Sequence, residues 1–240
     1  MEMPSIFCQW CGIGLPPNNE PPVVPPAPIP PVATCTHGTN THRHSMEEIA
    51  ACGALGVKLV RVTLYTKLIG QGWEWKLPLY DQTGIEPLIG VHDFDSASDA
   101  VAKMTALVVQ FPHRTWQVGN EWDAFPWHWG TNGSAYADLM TRVIAACPDT
   151  KFVGMGMATT HDNDAARWQT FHAGYRSTGG PVLHAWGFHM YERPTTLWYE
   201  QVQAAQIALG QSCPLWITEY GTDLPGDEAQ SAHILDVVTN

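Results

Sequence analysis

The amino-acid sequence predicts an α/β protein, a compact (β/α)8 TIM barrel in which strand eight is missing from the C-terminus. Three observations lead there. Short apolar, β-rich runs at 57–62, 87–92, 115–119, 152–157, 182–189 and 215–218 alternate with segments of helical period, and such alternation builds parallel strands joined by helical crossovers. The runs recur about every 30 residues, the length of one strand–helix–strand unit. They are almost continuously apolar, as a sheet covered on both faces requires. No Gly-x-Gly-x-x-Gly or Gly-x4-Gly-Lys-Ser/Thr turn occurs, which disfavours an open nucleotide-binding sheet and leaves the closed barrel.

Taken in order, residues 1–15 hold a strand-like run, Ser5-Ile-Phe-Cys-Gln-Trp10, followed by Cys11-Gly12. Cys8-x-x-Cys11 is half a zinc-knuckle pattern, but no second Cys or His pair follows at the usual spacing, so ordinary thiols are expected. Residues 16–31 are proline at nine of sixteen positions, which forbids a helix and makes this stretch an extended linker or strap. Residues 32–240 form the expected barrel domain, with 32–40 as strand one. Ser45 with Glu48 three residues on is a capping box opening a helix before Ile49 and Leu55. A second helix carries Tyr136, Leu139, Met140, Val143 and Ile144 on one stripe between Ser134 and Pro148. A third spans about 196–209 and stops at Gly210. After 215–218 only one helical segment, about 227–238, remains. The hypothesis that closes the barrel takes residues 5–10 as strand eight, supplied from the N-terminus by circular permutation, with the proline-rich stretch as crossover. A truncated barrel, or closure by another chain, is the alternative.

Composition narrows the function. The 240 residues are 45% hydrophobic and 15% charged, with 23 acids against 12 bases and a net charge of −11. That charge excludes a nucleic-acid binder held by a basic patch and disfavours an anionic membrane surface. No apolar run approaches the roughly 18 residues needed to span a bilayer, and the N-terminus lacks the basic start and apolar stretch of a secretory signal. A cytoplasmic location is the default expectation; oligomeric state is not legible. Six cysteines are too scattered for a disulfide scaffold. Eleven tryptophans supply flat apolar faces.

In parallel barrels chemistry collects at the C-terminal ends of the strands. The polar residues found there are His92-Asp93, Asn120-Glu121-Trp122, His189-Met-Tyr191 and Glu219-Tyr-Gly, with Arg61 inside the second strand. Arg61 is costly to bury without an acidic partner. Trp122, Trp127 and Trp129, then Trp73, Trp75 and Trp198, lie on or near loops at the same end and are candidates for stacking on a ligand with flat apolar faces.

Asn120-Glu121 after strand four and Glu219 on strand seven resemble the acid/base and nucleophile of the clan A retaining glycoside hydrolases, the (β/α)8 superfamily of many cellulases, xylanases, mannanases and β-glycosidases. The similarity spans about 32–240. It implies Arg61 as the arginine beside the nucleophile, Asn120 as the ligand of the sugar 2-hydroxyl and Tyr191 as hydrogen-bond partner of the nucleophile. His92 and His189 would line the same subsite, and Trp10 would replace an indole otherwise placed on strand eight. The implied reaction is hydrolysis of a β-glycosidic bond in an oligo- or polysaccharide by double displacement, with no cofactor and no metal. Two carboxyls about 5–5.5 Å apart suffice, one protonating the leaving oxygen and the other forming the glycosyl ester. Arg61 and Tyr191 favour the ionised form of Glu219, and Glu121 holds its proton while Glu219 is anionic.

Two other readings remain open. His42-Arg43-His44, with His161, His184 and His189, resembles the opening of metal-dependent amidohydrolase barrels, although no Asp after strand eight and no bridging Lys can be placed. The other is a catalytically inactive carbohydrate-binding barrel.

Overall fold

Each apolar run of the sequence becomes a strand. The computed structural model describes residues 38–41, 46–54, 57–71, 76–125, 128–158, 164–191, 204–205, 207–209 and 214–221. The strands are β1 (Gly38–Thr41), β2 (Leu59–Tyr65), β3 (Glu86–His92), β4 (Thr115–Val118), β5 (Lys151–Met157), β6 (Ala185–Tyr191) and β7 (Leu215–Gly221). The helices between them are α1 (Met46–Ala54), α2 (Leu77–Thr83), α3 (Ala97–Gln110), α4 (Gly133–Ala146) and α5 (Asp164–Ser177), and residues 204–205 and 207–209 are helical too. Helix starts carry local caps: Ser96 Oγ accepts from Asp99 N at 3.1 Å ahead of α3, and Asn132 Oδ1 accepts from Ala135 N at 2.8 Å ahead of α4.

All seven strands are parallel and ordered β1 to β7. The sheet is curled. Arg61 on β2 donates to Glu219 on β7, five strand spacings away; in a flat sheet that is about 24 Å. Gln117 on β4 likewise lies 3.4 Å from Thr218 Oγ1 on β7. Such contacts exist only across the inside of a barrel. Among the described residues β1 and β7 end the order, so the structure is a partial (β/α) barrel of seven strands. Residues 5–10, the proline-rich stretch, the helix expected at 227–238 and the start of the one at 196–209 lie outside the described residues.

The core is divided by the barrel wall. Outside, Val60, Val62, Leu64, Ile89, Val91, Trp116, Val118, Trp186 and Phe188 meet the helices in one large cluster. Inside, Leu88, Val153 and Ala185, with Leu59 and Trp216 against them, form a small plug made only of strand residues. Burial on both faces explains why the strands read as unbroken apolar runs. Above the plug the interior turns polar, and Gly187 makes room for it: a Cβ there would lie 2.2 Å from Gln117 Nε2.

Candidate active site

The site is built on Arg61, which is 2% exposed. Its guanidinium donates from Nε to Gln117 Oε1 at 2.7 Å, from Nη1 to Glu219 Oε1, and from Nη2 to Asn120 Oδ1 at 2.6 Å. Gln117 passes the constraint on, donating to Gly154 O at 3.1 Å. Three strands are thereby pinned around one buried cation, which is the partner arrangement its burial demands.

Glu219 reaches this point through an irregularity. Phe188 pairs with Ile217 but His189 pairs with Glu219, so Thr218 is an extra residue on β7. Successive strand residues normally point to opposite faces. The bulge lets Thr218 and Glu219 both face inward, one to Gln117 and the other to Arg61.

Glu121 arrives by a different route. Its backbone is left-handed, at φ 55° and ψ 22°, a conformation costing a non-glycine residue about 1–3 kcal/mol. The surroundings hold it there. Glu121 N donates to Gly156 O at 2.8 Å. Two residues on, the carboxylate of Asp123 accepts from Ala158 N at 3.0 Å and from Arg167 Nε at 2.8 Å. Arg167 also pairs with Asp164 at 2.9 Å, so the turn after Glu121 is stapled to the end of β5 and the start of α5. Burial pushes the Asp123 carboxyl above its ordinary value, opposed by the Ala158 N–H and Arg167.

His189 joins the two acids. Its ring is fully buried, with Nδ1 2.8 Å from Glu121 Oε1 and Nε2 3.5 Å from Glu219 Oε1. Gly156 makes space for it, since a Cβ there would sit 2.0 Å from Nε2. Glu121, His189 and Glu219 each offer an atom within 4.8 Å of the others. A divalent ion could be held by such a set, but the Arg61 guanidinium already lies against Glu219 and opposes a second cation. His92 stands at the rim, 3.1 Å from Asp93 and edge-on to Tyr65 at 4.4 Å. Burial lowers its imidazole below the ordinary value, Asp93 opposes that, and the more distant Arg61 and Glu219 act in opposite senses.

The structure therefore brings together Glu121, Glu219, Arg61, Asn120, His189 and, at the edge, His92. Trp122 is a correction. It is 3% exposed and packed among His128, stacked at 4.2 Å, Trp129, Phe94 and Tyr136, so its faces are committed to the core. A cradle of glycines closes on it: a Cβ on Gly130 would lie 2.6 Å from its ring. Trp129 is half-buried and donates from its indole to Phe94 O at 3.1 Å. The backbone of Tyr191 pairs with Gly221 at the end of β6; its side chain, with Trp10, Trp73, Trp75, Trp127, Trp198, His42, His44 and His161, lies outside the described residues. His184 precedes β6 and packs edge-on to Trp216 at 5.6 Å, at the opposite end of that strand from His189, about 16 Å away at strand rise. Those two do not share a metal site.

Gln117, Thr218, Asp123 and Arg167 were not expected. An amide in the middle of an apolar strand was the visible signal for Gln117; nothing local marks Arg167.

No family model matches the chain, and no curated protein matches it. Among solved structures that do match is a GH10 endoxylanase retrieved from sugarcane soil metagenome, at 15% identity and a TM-score of 0.59, covering 79% of this chain and 68% of that one. At that identity the likeness shows the fold alone, a (β/α) barrel.

Proposed function

We infer that this protein is a retaining glycoside hydrolase acting on β-linked oligo- or polysaccharides, with Glu219 as nucleophile and Glu121 as acid/base. The observation that carries the reading is the convergence of two carboxyls from β4 and β7 to within 4.8 Å at the C-terminal end of the barrel, close to the separation used for double displacement. Glu219 attacks the anomeric carbon while the glycosidic C–O bond breaks and the leaving oxygen takes the Glu121 proton. Water, deprotonated by Glu121, then attacks the same carbon and releases Glu219. Arg61 stabilises the ionised Glu219. Because Arg61 only donates, Asn120 turns its carbonyl oxygen to it and presents its NH2 to a sugar hydroxyl. His189 links the two acids, with Nδ1 2.8 Å from Glu121 Oε1 and Nε2 3.5 Å from Glu219 Oε1, and so holds the Glu121 carboxyl in place.

The test is a panel of β-1,4-xylan, β-1,4-glucan and β-mannan, read by product size and anomeric configuration. Retention is expected, with Glu219→Ala at background and Glu121→Ala down by about 10²–10⁴ on substrates that need an acid. Inversion sinks the double displacement. Loss on chelation with recovery by zinc transfers Glu121, His189 and Glu219 to a metal-dependent hydrolase. Binding without turnover leaves a carbohydrate-binding barrel.

A further inference from the structure

The pairing of β4 with β5 is interrupted at one point, immediately before Asn120 and Glu121, by a side chain from outside the barrel. The strands pair as Thr115 with Lys151, Trp116 with Phe152 and Gln117 with Val153. In a parallel ladder of that register, the next bond runs from Met155 N–H to Val118 C=O. It is replaced. The Tyr136 hydroxyl, from the first turn of α4, donates to Val118 O at 2.7 Å and accepts from Met155 N at 2.9 Å. Pairing resumes as the single bridge between Asn120 and Gly156, in the same register, and Gly119 N meanwhile bonds Val91 O on β3 at 2.8 Å.

We propose that Tyr136 is a positioning residue for the acid/base, its hydroxyl wedging β4 from β5 so that Asn120 and Glu121 leave the sheet at the angle that delivers the Glu121 carboxyl to His189. The proposal rests on the reading of Glu121 as acid/base. The wedge keeps the register and opens the strands by one oxygen, which separates it from a slip of the sheet. Its place is fixed on several sides: the ring lies 5.8 Å from Phe171, 5.7 Å from Trp186 and 6.0 Å from Trp122, and is fully buried. Burial also holds the phenol well above its ordinary value, so the donor to Val118 is never lost by ionisation. Without the hydroxyl, Met155 N–H and Val118 C=O bond each other directly, the ladder closes, and Glu121 is drawn away from the scissile oxygen.

The experiment compares phenyl with 2,4-dinitrophenyl β-xylobiosides and β-cellobiosides, read as kcat/KM, which reports bond cleavage. Dinitrophenolate leaves without a proton; phenolate needs one. In Tyr136→Phe the phenyl substrates lose about 100-fold, the size of a misplaced catalytic group, and the dinitrophenyl substrates less than about 3-fold, as in an attenuated Glu121→Ala. Equal loss on both, or none, while Glu121→Ala keeps its leaving-group dependence, overturns the proposal and leaves Tyr136 structural. Absence of leaving-group dependence in Glu121→Ala, or no turnover by the wild type, overturns the acid/base reading and the proposal with it. Should Tyr136→Phe not fold, 3-fluorotyrosine at position 136 keeps the ring and retunes the hydroxyl; a changed phenyl-to-dinitrophenyl ratio supports the wedge and an unchanged one overturns it.

Discussion

The barrel wall of this protein has two sides built on opposite rules, and a buried histidine sits on each. Inside, His189 lies between two carboxylates beside a guanidinium, in a network to which β2, β4, β6 and β7 bring polar side chains. Outside, His172 is 2% exposed and wrapped by Trp186 at 4.4 Å, Phe171 and Phe188. The burial is alike and the neighbours are not. The outer layer supplies stability through aromatic and aliphatic packing; the inner one holds buried charges, which cost stability unless well paired and which the proposed chemistry requires. Apart from Tyr136, whose hydroxyl reaches from the outer layer into the wall itself, mutations should therefore divide, inner ones moving turnover and outer ones moving folding.

Of the variants that test this division, leaving the two acids in place, the largest effect is expected at Arg61. Arg61→Met removes the cation from Glu219 and the tether from Asn120 and Gln117, and kcat/KM should fall by about 10²–10³, as for loss of one preorganised electrostatic group. Because both carboxyls keep some solvent access, at 14% and 28% for Glu219 and Glu121, urea unfolding should change less than turnover does. A variant that unfolds easily yet turns over normally breaks the division.

His172 sharpens it from the other side. Burial, with Arg176 adding to it, lowers its value from 6.5 to about 3. The folded state refuses a proton that the unfolded chain accepts below pH 6.5, so stability falls as pH drops from about 6.5 towards 3, at up to about 1.4 kcal/mol per unit. His172→Leu should remove up to about 3 kcal/mol of the stability difference between pH 7.5 and 4.5 in urea unfolding, with kcat/KM at neutral pH unchanged within about 2-fold. An equally steep acid loss in the variant places the sensitive group elsewhere.

The smallest effect belongs to the surface. Lys103 and Asp99, both half-buried, pair at 2.8 Å one turn apart on α3, and such i,i+4 helix pairs contribute about 0.3–0.5 kcal/mol. Lys103→Ala should shift the urea midpoint by no more than that and leave turnover alone, which sets the scale for the other two.

Much of the fold was legible because parallel strands buried on both faces leave unbroken apolar runs; β2, β3, β5, β6 and β7 all lie on such runs. The helices were less so. In α5 the buried residues are Asp164, Trp168, Phe171, His172 and Tyr175, a helical spacing disguised by an aspartate, a histidine and a tyrosine that read as polar. α2 is seven residues long with proline in its first turn, too short for a period. Of the site, the residues at strand ends could be named because parallel strands deliver their C-terminal residues to one rim. Trp122 was misplaced for the same reason: it follows such an end, but the left-handed backbone at Glu121 turns it down into the aromatic layer.

Local chemistry along the chain was enough to determine the alternation of strand and helix, the acidic charge and the two glutamates that end β4 and β7. Only the curled sheet decided that Arg61 meets Glu219, that an extra residue at Thr218 turns Glu219 inward, and that Tyr136 parts two strands from outside. The physical reason is one of range. A period or a cap is written within about ten residues, whereas a bulge, a wedge or a buried ion pair depends on partners five strands away, brought together when the barrel curls.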